Sequence, residues 1–160
     1  GNRRAFDDAV DRELKRRART GRPIAIALID VDHLKQVNDR SGHSAGDLAL
    51  QFVAQVLQRS ARTIDVPARI GGDEFALLLT DTTSEGAVEA LERMRRDLRR
   101  MTEADDRIRE VSISVGIAMA TPTADNHDAI MRLADGALYV AKTEGRDRIR
   151  IADQRHTTAP

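Results

Sequence analysis

The chain has 160 residues, with 26 basic residues balanced by 26 acidic residues, and it contains no cysteine. At this length we expect one domain with a core of its own. The lack of cysteine excludes disulfide scaffolds, thiolate zinc sites and cysteine nucleophiles. Zero net charge and 2% aromatic residues argue against nucleic-acid binding. No apolar run approaches the ~20 residues of a membrane span, so we expect no direct membrane contact in this segment.

The hydrophobic period changes repeatedly along the chain and predicts both helices and strands. In chain order, the predicted elements are a helix over 3–19, a strand over 24–29, a helix over 44–60, strands over 67–70 and 75–79, a helix over 83–102, a strand over 111–119, a helix from about 125 to 141, and a weak strand over 149–151. The Gly71-Gly72 pair between the second and third strands predicts a β-hairpin. A loop signal falls at 38–42.

After the first helix, this order reads β-α-β-β-α-β, followed by a further helix and strand. We therefore predict an α+β fold with a ferredoxin-like core sheet, helices on one face and a helical preface. No linker or repeat divides the chain. We expect a single domain over 1–160, with a helical preface at 1–21, a core at about 22–152 and a tail at 153–160.

The first candidate for chemistry is the acidic pair at the end of the first strand. We expect Asp30 and Asp32 to leave that strand on opposite faces, so that at most one of them serves a given site. A strand end that reaches solvent explains both residues equally well. In the predicted sheet, however, the hairpin can lie beside the first strand and bring Asp73 toward Asp30. With the main-chain carbonyl of Val31, these carboxylates would form a hard oxygen site suited to Mg²⁺ and phosphate oxygens.

The hairpin tip is Gly71-Gly72-Asp73-Glu74, and solvated turn residues would explain it without any function. The functional interpretation is that two glycines without Cβ atoms let a bulky anionic substrate approach the backbone. Combined with the predicted metal site, this tip indicates metal-assisted phosphoryl chemistry.

Asn38 and Asp47 flank a segment that also contains His43. An amide and a carboxylate supply the donors and acceptors that a purine edge requires. A capping box from Ser44 to Asp47 that opens the following helix is a complete structural alternative for Asp47, and spacing alone leaves both open.

The segment 142–146 follows the last long predicted helix and carries two cations, Lys142 and Arg146. These cations fit either a routine helix stop or the binding of a triphosphate.

Taken together, these segments resemble the GGDEF family, the diguanylate cyclases that join two GTP molecules into cyclic di-GMP. The matching segments, in chain order, are Asn2-Arg3-Arg4, Ile29-Asp30-Val31-Asp32, Lys35, Asn38-Asp39, Gly42-His43, Gly46-Asp47, Arg69-Ile70-Gly71-Gly72-Asp73-Glu74-Phe75, the strand over 111–116 and Lys142-Thr-Glu-Gly-Arg146. The resemblance covers nearly the whole chain. It implies a fold like the palm of nucleotidyl cyclases and polymerases.

The resemblance also implies a role for individual residues. The implied metal ligands, for Mg²⁺ or alternatively Mn²⁺, are Asp30, Val31 and Asp73. The implied catalytic residues are Asp73, Glu74 and Lys35. The implied substrate-binding residues are His33, Leu34, Asn38, His43, Asp47, Gly71, Gly72, Lys142 and Arg146. The implied product-inhibition site is an RxxD pattern, with Arg62, Asp65 and Arg93.

The family chemistry requires two GTP molecules, and one domain that holds one GTP cannot present the second to itself. We therefore expect a transient homodimer, with GTP as substrate, cyclic di-GMP as product and inhibitor, and no nucleic acid. Because the sequence begins with Gly1, we expect a domain fused to an upstream sensor. Its expected location is cytoplasmic, including the cytoplasmic part of a larger, even membrane-bound, protein.

The chain departs from the family pattern at several positions. His33 and Leu34 stand where two bulky aromatics are common, and Asp147 stands where asparagine often follows Gly-Arg. None of these removes a metal or base contact. The main alternative is a non-catalytic module that binds GTP or cyclic di-GMP, and a purely structural α/β domain is the third interpretation.

Overall fold

The computed structural model describes residues 1–153, so the predicted tail lies outside the described residues except for its first residue. The elements are α1 (Arg3–Thr20), β1 (Ile24–Asp32), α2 (Leu34–Ser41), α3 (His43–Ser60), β2 (Val66–Arg69), β3 (Glu74–Thr80), α4 (Ser84–Thr102), β4 (Ser112–Met119), α5 (His127–Thr143) and β5 (Ile149–Ile151). This sequence of elements confirms the predicted β-α-β-β-α-β core with a helix before it and a helix and short strand after it.

The strands form one five-stranded sheet in the order β2-β3-β1-β4-β5. The central strand β1 runs antiparallel to both of its neighbours, β3 and β4, and β5 runs parallel to β4. In this register Asp30 lies opposite Glu74 on one side and Ser114 on the other. The carboxyl end of β1 therefore meets the start of β3, and with it the predicted hairpin.

Helices cover both faces of the sheet, so the prediction of helices on one face was wrong. On one face, Ala27 and Ile29 of β1 pack in a core with apolar residues of α3 and α4. On the other face, Ile26 and Leu28 pack in a second core with residues of α1 and α5. The physical reason is the continuous apolar run of β1, since both of its faces must be removed from water. Within residues 1–153, no helix is long and apolar enough to cross a membrane.

The predicted loop at 38–42 is mostly helical, because α2 extends to residue 41. Its apolar residues Leu34 and Val37 are one turn apart, and both pack against the core below α3 and α4. Gly42, at φ 82°, then separates α2 from α3. The predicted capping box is also wrong: α3 begins one residue before Ser44, and no side chain caps it.

Candidate active site

The carboxyl end of β1 carries an ion pair between Asp30 and Lys142. Asp30 Oδ2 lies 2.7 Å from Lys142 Nζ, which comes from the last turn of α5. Burial raises the pKa of Asp30, Lys142 opposes the change, and the charges of Asp73 and Asp32 raise the pKa further. A half-buried carboxylate beside other carboxylates is a group whose ionised form a bound cation would stabilise.

Asp30 and Asp32 lie on the same face of β1, and the expectation of opposite faces was wrong. Residues two apart on a strand share a face because the side-chain period is two. The buried Asp32 carboxylate accepts hydrogen bonds from the hydroxyls of Ser112 and Ser114, both at 2.8 Å, and from the Asp147 amide at 3.1 Å. Only Asp30 is therefore available to a ligand, because Asp32 is engaged within the protein.

Main-chain hydrogen bonds hold the hairpin beside β1. The Val31 amide donates to the Asp73 carbonyl at 3.1 Å, and the Ile70 amide donates to the Glu74 carbonyl at 2.9 Å. The side chain of Asp73 is exposed, and its charge acts on Asp30. The structure thus brings the two predicted metal-binding carboxylates to the same end of the sheet.

Arg69, an exposed residue, holds the glycine turn through main-chain carbonyls. Its guanidinium donates to the carbonyls of Gly71 at 3.3 Å and Gly72 at 2.6 Å, and lies 5.8 Å from the ring centre of Phe75. A Cβ atom on Gly71 would lie 2.4 Å from Glu74 Oε2, so a side chain there would displace the exposed Glu74 carboxylate. The sequence analysis includes Arg69 in a matching segment but assigns it no role, since a strand-end arginine carries no distinguishing signal.

The oxygen donors at this end of the sheet fit a divalent cation shared with a nucleotide. Among residues 1–153 there is no group of three or more acidic, histidine or cysteine side chains that could hold a metal alone. The available donors are the carboxylates of Asp30 and Asp73 and the Val31 carbonyl. Such a partial set of hard oxygens suits Mg²⁺ or Mn²⁺ that completes its coordination with phosphate oxygens and water.

The N-terminus of α2 follows β1 directly. His33 adopts a left-handed conformation with φ 64° at the N-cap, and no side chain hydrogen-bonds to the helix start. The first amides of α2, from Leu34 and Lys35 onward, therefore remain available to an anion, and the helix dipole favours negative charge there. The Lys35 side chain is exposed on this same turn.

Asn38 of α2 lies against Gly46 of α3, and Asp47 is the next residue of α3. Asn38 Oδ1 is buried and has no hydrogen-bond partner, and a Cβ on Gly46 would lie 2.0 Å from it. Gly46 thus makes the space for the amide. The exposed Asp47 carboxylate has no hydrogen-bond or ion-pair partner among residues 1–153, and the exposed His43 lies at the start of α3. Among residues 1–153, the buried Asn38 amide oxygen and the exposed Asp47 carboxylate both lack a partner, and such groups are ones that a polar ligand would complete.

The loop after α5 brings Arg146 to the same end of the sheet. Gly145, Arg146 and Asp147 all have positive φ, at 114°, 61° and 45°. Arg146 Nε lies 3.9 Å from Asp32 Oδ1, and half of the Arg146 side chain is exposed. This guanidinium is therefore free to bind an anion.

Two arginines of α4 hold Asp147. Arg95 Nη1 lies 2.7 Å from Asp147 Oδ1, and Arg99 pairs with the other carboxylate oxygen. Burial alone would lower the pKa of Arg95, but the hydrogen bond and charge of Asp147, together with Glu92, raise it overall. Sequence reasoning missed both arginines, because they resemble the solvated face of an amphipathic helix.

The RxxD segment lies at the other end of the sheet. The buried Asp65 carboxylate accepts from the Arg62 amide at 2.8 Å and from the Thr80 amide at 3.2 Å. Thr80 ends β3, whereas Glu74 begins it. The side chains of Arg62 and of Arg93, on α4, are exposed. Asp65 therefore orders the turn, and the two arginines remain as surface cations.

Comparison with known proteins identifies the family. A family model described as "Diguanylate cyclase, GGDEF domain" matches residues 1–148. The chain is 39% identical over 134 residues to the probable diguanylate cyclase DgcT of Escherichia coli K12, covering 82% of this chain and 30% of DgcT. It is 35% identical over 152 residues to diguanylate cyclase DosC of the same strain, covering 94% of this chain and 33% of DosC. The chain thus spans about a third of the length of these curated relatives.

The fold is similar to that of solved GGDEF domains. The crystal structure of the GGDEF domain of DgcB from Caulobacter crescentus, in complex with c-di-GMP, matches with a TM-score of 0.87 and 33% identity over 95% of this chain and 91% of that chain. This likeness confirms the predicted palm-like α+β fold. The chain therefore belongs to the GGDEF family, the family of diguanylate cyclase domains.

Proposed function

We propose that this domain is a diguanylate cyclase that condenses two GTP molecules into cyclic di-GMP and releases two pyrophosphates. The observation that carries the proposal is the different environment of Asp30 and Asp32. Asp32 is fully engaged inside the protein, whereas Asp30 lies beside Asp73 and Lys142 at an accessible end of the sheet. The naming of DosC as a diguanylate cyclase and the c-di-GMP bound to DgcB support the same conclusion.

Each part of GTP has a matching group at this end of the sheet. The guanine edge would bind Asn38 and Asp47. The triphosphate would bind the backbone amides around His33 and Leu34, at the start of α2, together with Lys35, Lys142 and Arg146, next to the glycines of the hairpin. The metal would be held by Asp30, Asp73 and the Val31 carbonyl. A bound Mg²⁺ supplies charge neutralisation on the triphosphate.

The reaction joins two nucleotides through two equivalent steps. In each step a 3′-oxygen forms a bond to the α-phosphorus of the other GTP, the α–β anhydride bond breaks, and its electron pair leaves with pyrophosphate. We assign the hydroxyl proton to a carboxylate of Asp73 or Glu74. Two copies must face each other so that each GTP is both attacked and attacking, and positioning supplies much of the rate gain.

Regulation and context follow from the same proposal. Product would inhibit through two exposed cations, Arg62 in the turn that Asp65 orders and Arg93 on α4. We infer that 1–160 is one domain fused to an upstream sensor, since the chain spans about a third of the length of the curated relatives. Because GTP is the substrate, the domain would act in the cytoplasm.

The test is production of cyclic di-GMP and pyrophosphate from GTP and Mg²⁺, at high protein concentration and after bound product has been stripped. We expect turnover by the wild type and a loss of at least about 100-fold in Asp73→Asn, since even outer partners of a metal site contribute about 10- to 100-fold. Asp135→Asn is the matched control, because Asp135 is an exposed residue of α5.

The contrary outcomes separate the remaining interpretations. Tight binding of GTP or cyclic di-GMP by the wild type without turnover would show a regulatory binding module. A melting temperature that neither GTP nor cyclic di-GMP changes would leave a structural role, because a ligand that binds the native state must raise it.

A further inference from the structure

The loop between α5 and β5 holds an unusual main-chain conformation. Three consecutive residues have positive φ, and two of them, Arg146 and Asp147, are not glycine. A residue other than glycine keeps this conformation only where its surroundings hold it. The loop must therefore be fixed by contacts strong enough to maintain this conformation.

Those contacts converge on Asp147. Its amide donates to Asp32 at 3.1 Å, and its carbonyl accepts from Arg95 at 2.5 Å. Its carboxylate accepts from Arg95 at 2.7 Å and from Arg99. Every polar group of Asp147 thus has a partner, on β1 or on α4.

Arg146, by contrast, is fixed mainly through its main chain. Its amide donates to the Ala141 carbonyl at 3.0 Å, and its carbonyl accepts from Arg148 at 2.9 Å. Among residues 1–153, its guanidinium has a single charged partner, Asp32 at 3.9 Å, and half of the side chain is exposed. Whatever fixes the main chain at 146–147 therefore decides where this guanidinium can reach.

We propose that Asp147, gripped by Arg95 and Arg99, is a positioning residue that presents Arg146 to the triphosphate. The inference rests on the proposed cyclase function and adds to it a link from α4 to the phosphate-binding loop. Asp147 acts in two ways: it stabilises the left-handed main chain, and it neutralises Arg99 and, together with Glu92, Arg95 beside the loop. The reaction itself needs no contact between Asp147 and the nucleotide.

The experiment compares Asp147→Ala, Asp147→Asn and Arg99→Ala with the wild type and with Arg100→Ala. Arg100 is the matched control, because it lies on the same helix but pairs with Asp97 instead of the loop. KM and kcat for GTP are measured, together with the rise in melting temperature caused by GTP or by GMP, each with Mg²⁺. Arg99→Ala keeps the test valid if Asp147→Ala fails to fold, because the Arg99 side chain is largely exposed.

We expect Asp147→Ala to raise KM for GTP about 10- to 100-fold, the effect of losing one hydrogen bond to a charged group, with a smaller change in kcat. The rise in melting temperature with GTP should shrink, whereas the rise with GMP, which lacks the β- and γ-phosphates, should be unchanged. KM for GTP should be raised less in Asp147→Asn than in Asp147→Ala, and Arg100→Ala should behave as wild type.

An unchanged or lower KM in both Asp147→Ala and Arg99→Ala would overturn the inference and leave the cyclase proposal standing. If the rise in melting temperature shrank equally with GTP and with GMP, the inference would also be overturned, since this would show general loosening of the fold. A wild type that neither binds nor turns over GTP would overturn both.

Discussion

At the residue scale, the ionised Asp30 carboxylate lowers the stability of the folded protein. Burial and two neighbouring carboxylates raise its pKa above the ordinary value of 3.8, despite Lys142. Because the folded pKa exceeds the unfolded pKa, the folded state binds this proton more tightly. The ionised carboxylate therefore opposes folding above the folded pKa, and this penalty disappears as pH falls through that pKa toward 3.8.

Asp30→Asn should accordingly make the protein more stable and inactive. In metal-free buffer at neutral pH, we expect the melting temperature to rise by about 2–4 °C, as for about 1 kcal/mol in a domain of this size. The gain over wild type should shrink as pH is lowered, and cyclase activity should be lost at neutral pH. Thermal melts across a pH series measure this. A destabilised Asp30→Asn would show that the pair with Lys142 outweighs burial.

Gly46→Ala should disturb guanine recognition without touching the nucleotide. A Cβ at Gly46 would lie 2.0 Å from Asn38 Oδ1, so the amide must move. We expect KM for GTP to rise by about tenfold or more and discrimination against ATP to fall, since one hydrogen bond to a base is lost.

The matched control for Gly46→Ala is Gly136→Ala, where a new Cβ would meet no atom within 4 Å. Gly136 lies inside α5, so alanine should add up to about 1 kcal/mol of stability and leave KM unchanged. Equal KM values for the two variants would remove the role assigned to Asn38.

At the scale of elements, the sequence predicted the strands better than the connections. The apolar run of β1 and the glycine pair of the hairpin are strong local signals, and both gave the correct element. Helix α2 was missed because Asn38 and Gly42 are typical loop residues, whereas the packing of Leu34 and Val37 against the core determines its conformation. Tertiary contact overrides local preference there.

The turn between α3 and β2 gives a prediction at this scale. Asp65→Ala would leave the Arg62 and Thr80 amides without their carboxylate partner. We expect the free energy of unfolding to fall by about 2 kcal/mol or more and the melting temperature to decrease by about 4 °C or more. Arg62→Ala should change stability by less than about 0.5 kcal/mol, because its side chain is exposed.

Arg62→Ala also tests whether the Arg62 side chain takes part in inhibition by product, separately from the stability of the turn. Arg62→Ala should relieve inhibition by cyclic di-GMP with nearly intact turnover, as measured by initial rates with added product. If inhibition were unchanged in Arg62→Ala, the site would have to lie elsewhere on the surface.

At the scale of the whole molecule, the sequence predicted which residues lie together at the carboxyl end of β1. It did not predict the hydrogen bonds and ion pairs that hold them there. The positions of Asp30 and Asp73 followed from strand order. The bonds of Asp32 to Ser112 and Ser114, and the grip of Arg95 on Asp147, join residues distant in the chain. Each depends on strand register or helix packing, which single residue types do not reveal.

The proposed homodimer predicts a rate law. If activity requires two copies that meet only transiently, the rate should increase more than linearly with enzyme concentration and approach proportionality once dimers dominate. Initial rates over a wide dilution series, compared with the association state from sedimentation, measure this. Strict proportionality down to the lowest concentration would contradict a weak dimer.

The central claim is that the end of β1 binds GTP and a divalent cation together. A crystal structure with a non-reactive GTP analogue and Mn²⁺, with the metal located by its anomalous scattering, tests this most directly. We predict a metal in contact with Asp30, Asp73 and the Val31 carbonyl, guanine beside Asn38 and Asp47, and phosphates at the start of α2. A nucleotide bound elsewhere, or a metal that contacts neither Asp30 nor Asp73, would contradict the account.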